Sequence, residues 1–224
     1  MSDILIDANG IGRTYAQGGM PIPALVSASF RLRKRDRIAI IGRSGSGKST
    51  LLHLMAGLDV PTAGRLAWPA LGARAQLLPN KIALVFQSPS LLAPLTVAEN
   101  VALPLLIGDI ECNVEAAASA ALATFDLTDL AHRLPEELSG GQMQRVAMAR
   151  AIAGNPLLIL ADEPTGQLDQ PTGRALLDAL FSHLEGTDTA LVISTHDPVV
   201  AERMRVIWRM EYGVLSATDT GSTA

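Results

Sequence analysis

The run Gly42-Arg43-Ser44-Gly45-Ser46-Gly47-Lys48-Ser49, followed by the hydroxyl of Thr50, has the spacing G-x-x-x-x-G-K-[ST]. This pattern can hold a polyphosphate. Glycine permits the backbone conformations that turn successive N–H groups into one concavity. A helix starting near Lys48 adds the positive end of its dipole. Lys48 has the reach for terminal phosphates, and the Ser49 hydroxyl can ligate a divalent cation.

A second pair of reactive groups closes the apolar run Leu157-Leu158-Ile159-Leu160-Ala161, namely Asp162 and Glu163. In open parallel sheets ligands lie beyond the carboxyl ends of the strands. Asp162 is then placed to hold the metal side of a nucleotide. Glu163, one residue on, is placed to orient or deprotonate an attacking water. Alone, a glycine–serine stretch reads as a turn and an Asp-Glu pair as a strand turning polar. The flanking elements of each separate them from that reading.

Those elements follow from apolar periodicity. Leu25–Leu32, Arg37–Ile41 and Lys81–Phe86 read as strands, and Ser49–Ala56 as a helix ended by Gly57. Thr96 with Glu99 forms a capping-box pattern, and Asn113–Phe125 is a second helix candidate. Residues 87–156 therefore read as a helical insertion in an α/β fold. The strand pattern resumes at Leu157–Ala161, with a helix over Pro171–Leu184 and strands at Ala190–Ser194 and Val206–Trp208. Residues 217–224 are small and polar and are expected to fray.

Composition narrows the classes. Of 224 residues 48% are hydrophobic, enough for a buried core, and the net charge of −4 argues against broad nucleic-acid binding. The basic cluster Arg31, Arg33, Lys34, Arg35 and Arg37 is expected to be a solvated turn. A single cysteine, Cys112, excludes an internal disulfide framework. Met1–Asn9 is acidic and is not expected to be a secretory leader. The most apolar window, Leu91–Ile107, is interrupted by Pro94, Glu99, Asn100 and Pro104, so no membrane span is expected.

The stretch Leu138-Ser139-Gly140-Gly141-Gln142 could be a plain helix cap. Its position before a helix and the strand ending in Asp162 and Glu163 resembles the ATP-binding-cassette ATPases, whose signature reads Leu-Ser-Gly-Gly-Gln. The resemblance spans Tyr15 to about Ser216. It implies a P-loop NTPase with a RecA-like core and mostly parallel sheet, an antiparallel β subdomain and an inserted α-helical subdomain. One domain is expected over 1–224, its core formed by 1–86 and 157–216 and its helical signature unit by 87–156. By the same resemblance Gln87 approaches Mg²⁺ and the water, His196 contacts the γ-phosphate, Asp169 connects the two sites of a dimer, and Tyr15 stacks on adenine. ATP and Mg²⁺ are the implied ligands. Ser49, Gln87 and Asp162 stand on the metal side.

The resemblance also implies a partner. Two copies would meet head to tail, the cradle of one facing Ser139–Gln142 of the other across ATP, and would drive an integral membrane permease from the cytoplasmic face of the membrane. Thr14–Gly18, Leu95–Leu105 and Ala161–Gly166 look like the lipoprotein-releasing, macrolide-exporting and cell-division branch. An uptake cassette and a soluble non-transport cassette are the alternatives. A GTPase lacks its base, since Asn80-Lys81 continues as Ile82-Ala83. Leu91–Leu106 serves either as a docking surface for the permease or as the core of the helical insertion itself.

Overall fold

The central strands are largely apolar because both their faces are covered. This computed structural model describes residues 3–108 and 112–216; the tail expected at 217–224 lies outside them. The first half contains β1 (Ile4–Gln17), β2 (Met20–Arg33), β3 (Arg37–Ile41), α1 (Lys48–Met55), β4 (Ala63–Ala67) and β5 (Ile82–Val85). The helices α2 (Val97–Ile107), α3 (Val114–Thr124) and α4 (Gly140–Ile152) follow. The described residues continue through β6 (Leu158–Asp162), α5 (Gln170–Leu184), β7 (Ala190–Thr195), α6 (Pro198–Glu202), β8 (Val206–Glu211) and β9 (Val214–Ser216).

One sheet runs in the order β4-β1-β2-β9-β8-β3-β7-β6-β5. The segment β8-β3-β7-β6-β5 is parallel throughout. The β1–β2, β1–β4 and β8–β9 pairs are antiparallel. Period-two alternation sends Ile38, Ile40, Leu158, Leu160, Ala190 and Val192 to one apolar cluster with α1, β1 and β2. Ala39, Ile159, Ala161, Leu191 and Ile193 go to the other, with α2 to α6. Each fully buried Leu or Ile there contributes roughly 1.5–3 kcal/mol.

The helical segment joins that second cluster. Val97, Val101 and Leu105 of α2 and Ala118 and Leu122 of α3 are buried against it. Thr96 caps α2 as expected, its Oγ1 accepting from Glu99 N and its own N–H donating to Glu99 Oε2 at 2.7 Å. The apolar window before and within α2 thus divides. One face packs into this cluster shared with the sheet, while Leu92, Leu106 and Ile107 remain exposed.

The antiparallel edge is where strand patterns were hardest to read. β2 extends back through Pro23 and Pro21 to Met20, because its paired partner in this stretch is β1 alone, so the missing N–H groups break no second ladder. Gly18 and Gly19, at φ 58° and 82°, form the hairpin between β1 and β2. The basic cluster corrects a second expectation. Arg37 is half-buried and donates to the carbonyls of Thr189 and Leu184, and Lys34 and Arg35 both pair with Asp188. The turn is fastened to the 184–189 segment rather than merely solvated.

Candidate nucleotide-binding site

The parallel strands β3, β7, β6 and β5 are neighbours, so whatever follows their carboxyl ends is brought to one rim. The glycine-rich loop follows β3, His196 follows β7, Asp162 and Glu163 close β6, and Gln87 follows β5. Val85 pairs with Ala161, which sets Gln87 and Glu163 each two residues beyond one rung.

The loop is shaped by what presses on it. A Cβ on Gly42 would lie 2.2 Å from Met210 O, and one on Gly47 2.3 Å from Ala24 O, so neither position admits a side chain. Gly47, at φ 102°, is also the N-cap of α1. The amides of Ser44, Gly45 and Gly47 make no hydrogen bond among the described residues. The first turn of α1 carries no acidic side chain. The result is a set of free donors at a positive helix end. Ser46 Oγ is buried without a partner, another polar atom waiting inside the loop. Lys48 is 8% exposed and donates to the carbonyls of Gly42 at 2.8 Å and Arg43 at 3.2 Å. Ser49 is exposed on the first turn, with Thr50 beside it.

Three charged or titratable groups then converge. Glu163 Oε1 lies 4.0 Å from Lys48 Nζ, and Glu163 Oε2 lies 2.9 Å from His196 Nδ1. Glu163 itself is a non-glycine residue at φ 47°, a left-handed conformation held by its N–H donating to Ser194 O at 3.0 Å. The histidine is 70% exposed, free to turn toward a ligand, whereas the carboxylate is 11% exposed. Asp162 accepts a hydrogen bond from Ser194 Oγ.

Ser49, Gln87 and Asp162 offer a hydroxyl, an amide oxygen and a carboxylate. These are hard oxygen donors of the kind Mg²⁺ takes when most of its shell is phosphate and water, so the residues fit the ion. Gln87 is exposed and its loop is anchored from the helical side. Arg150 of α4 donates to the carbonyls of Pro89 and Ser90, each at 3.0 Å, and burial lowers its pKa.

The structure does not bring every expected residue to this cluster. Ser139 caps α4, accepting from Gln142 N, while Gln142 Oε1 accepts from Ser139 N at 2.8 Å. Ser139 and Gly140 are exposed, and a Cβ on Gly141 would touch Leu168 and Thr172. No hydrogen bond among the described residues links Ser139–Gln142 to Lys48, Glu163 or His196. Asp169 caps α5 by accepting from the N–H and hydroxyl of Thr172, which hold its carboxyl below the ordinary range. Both elements thus present capped helix starts outward.

Tyr15 lies near the end of β1. It is paired with Ile22 of β2, two residues from Ala24, whose carbonyl abuts Gly47. Its hydroxyl donates to Asp59 Oδ2 at 2.8 Å, and the Arg13 guanidinium sits 4.7 Å over its ring. Arg13 also pairs with Asp59 at 2.8 Å. Partial burial alone would raise the pKa of Asp59, but the Tyr15 hydroxyl, the Val60 amide and Arg13 together hold it below its ordinary value. Arg13, Asp59, Arg150 and Ser194 were not legible as site residues, since each acts through a partner distant in sequence.

Comparison with known proteins identifies the family and the fold. The family model described as ABC transporter matches residues 25–166. The lipoprotein-releasing system ATP-binding protein LolD of Legionella pneumophila strain Paris is 40% identical over 98% of this chain and 100% of its own length. The strain Lens protein of the same name is 39% identical over the same shares. The dimeric bacterial ABC transporter cassette MJ0796 superposes with TM-score 0.87 and 35% identity, over 95% of this chain and 97% of that one. Its dimeric post-hydrolysis state with ADP and Pi gives TM-score 0.86 at 33% identity, covering 95% and 98%.

Proposed function

Because the chain belongs to the ABC transporter family and is an ATPase that binds ATP, we propose that two copies clamp two Mg·ATP and drive a separate membrane subunit. The observation that carries this reading is the convergence of Lys48, Glu163 and His196 at the ends of adjacent strands, next to a loop of unpaired amides. In this proposal the loop from Gly42 to Thr50 cradles the phosphates, and Tyr15 stacks on the adenine ring. Glu163 takes the proton of the attacking water. His196, now hydrogen-bonded to that carboxylate, turns to the γ-phosphate. Ser49, Gln87 and Asp162 would hold Mg²⁺, which would supply charge neutralisation of the phosphates.

Ser139–Gln142 and Asp169 complete the site from the second copy. The lack of any hydrogen bond from them to Lys48 among the described residues and their exposed helix starts support this, as do the dimeric states of MJ0796. Hydrolysis then removes the charge that both surfaces share, and the differential contact becomes motion. The core of 1–86 and 157–216 and the helical unit of 87–156 move against each other, with the Arg150 contacts to Pro89 and Ser90 carrying the change to the Gln87 loop.

The membrane partner in this proposal is an integral permease of the lipoprotein-release or export type, contacted from the cytoplasmic face. The 40% identity to a lipoprotein-releasing ATP-binding protein supports the branch, and exposed Leu92, Leu106 and Ile107 offer an apolar contact. Among the described residues no helix is long and apolar enough to cross a membrane. The test is cross-linking. In a Cys112→Ser background, Ser44→Cys combined with Gly140→Cys is expected to form an intersubunit disulfide only with ATP. A bond that forms equally without ATP, or never, overturns the clamp.

A further inference from the structure

A hydroxyl in the middle of the sheet needs a reason. Ser194 is fully buried on β7, flanked by Ile193 and Thr195, and is the Cα partner of Asp162 on β6. A buried hydroxyl without a partner is costly, so serine persists at such a place when its bonds are made. Here both lead to the acid pair. Ser194 Oγ donates to Asp162 Oδ1 and accepts from the N–H of Glu163 at 3.2 Å. Among the described residues Asp162 Oδ2 accepts no hydrogen bond, so one carboxylate oxygen is tied and the other is left open.

We propose that Ser194 is a positioning residue for the divalent-cation site: its hydroxyl fixes the Asp162 carboxylate so that one oxygen faces the cation. The proposal rests on the reading of Asp162 as the metal-side acid. A donor to a metal-binding carboxylate sets both its orientation and its basicity. Ser194 acts through Asp162 and touches neither nucleotide nor water. Its hold on Glu163 is secondary, because that amide also donates to the Ser194 carbonyl at 3.0 Å and keeps this bond in any side-chain variant.

The experiment titrates Mn²⁺ into the full chain saturated with a non-hydrolysable ATP analogue, counting free ion by electron paramagnetic resonance. Ser194→Ala and Ser194→Cys are compared with the parent. Cysteine preserves the volume but is a weak donor, so it separates a lost hydrogen bond from a cavity, and it carries the test if the alanine variant folds poorly. Both variants should weaken Mn²⁺ affinity about tenfold, with nucleotide affinity in the absence of metal unchanged. ATPase assays should give a half-saturating Mg²⁺ raised by about the same factor, and turnover at saturating Mg²⁺ close to the parent's. Parental Mn²⁺ affinity in either variant overturns the proposal. Asp162→Ala is the control: if it too binds Mn²⁺ normally, the underlying assignment of Asp162 fails. If it weakens binding while Ser194→Cys does not, only the role of Ser194 fails.

Discussion

Glu163→Gln changes one charge and almost no volume, and the structure fixes what that charge does. Its carboxylate lies 4.0 Å from Lys48 Nζ, with side chains 11% and 8% exposed. Unit charges at that distance in an effective dielectric of about 20 attract by roughly 4 kcal/mol. Desolvation offsets much of this in the folded chain, and Lys48 keeps its bonds to the Gly42 and Arg43 carbonyls once the opposite charge is gone, so the loss of stability should be small. Binding is different. An incoming γ-phosphate competes for Lys48 and meets a like charge in Glu163. If about a third of the attraction opposes binding, its removal tightens ATP affinity by roughly 1.4 kcal/mol, or about tenfold. Hydrolysis moves the other way, because a positioned base contributes about 10²–10⁴-fold, or roughly 3–5 kcal/mol of barrier. Equilibrium ATP binding, single-turnover phosphate release and light-scattering mass with ATP measure the three effects. The expected variant binds more tightly, hydrolyses at under a hundredth of the parental rate and accumulates as a dimer. Hydrolysis at parental speed would exclude Glu163 as the base, and weaker ATP binding would refute the competition for Lys48.

Asp59→Asn should loosen Tyr15 by removing the charge that strengthens the bond from its hydroxyl and pairs with Arg13, weakening ATP binding about fivefold while sparing inorganic triphosphate, as competition binding would reveal. The depressed Asp59 carboxyl stabilises the fold above the ordinary carboxylate range, and this contribution is lost as pH falls through its folded value. Acid-unfolding curves of parent and variant should therefore differ at neutral pH and converge once the pH has fallen below the folded value of Asp59; parallel curves would refute the linkage. Thr96→Ala removes the capping box of α2, costing about 1 kcal/mol. The calorimetric midpoint should fall about 2–4 °C, and an unchanged midpoint would mean that the cap carries no net energy.

Much of the site was readable because its parts are local. The phosphate loop announces itself through an adjoining strand, its glycines and an adjoining helix, all within a few residues. Asp162 and Glu163 end an apolar run whose length marks a fully covered strand. The roles of Gln87 and His196 came only from family resemblance, since an isolated polar residue after a strand has no local signature. The antiparallel edge was harder. β1 carries Gly10 and Gly12 and several register shifts that erase its alternation, and β4 is five residues including Gly64. Ser194 stayed hidden for another reason. Within Leu-Val-Ile-Ser-Thr it looks like ordinary strand filling, and only the pairing of β7 with β6 reveals that it faces Asp162.

The clamp on the glycine loop has a consequence for dissection of the chain. Its floor is Ala24, its roof is Met210, and Gly213 donates to Ser46 O at 3.1 Å. All three residues lie outside 25–166, the stretch matched by the family model. A fragment trimmed to that stretch would keep every residue of the nucleotide-gripping motif and lose what moulds it, together with β7 from the sheet interior. Motif content and binding competence would come apart, and the excised piece would be an unfaithful surrogate for the whole.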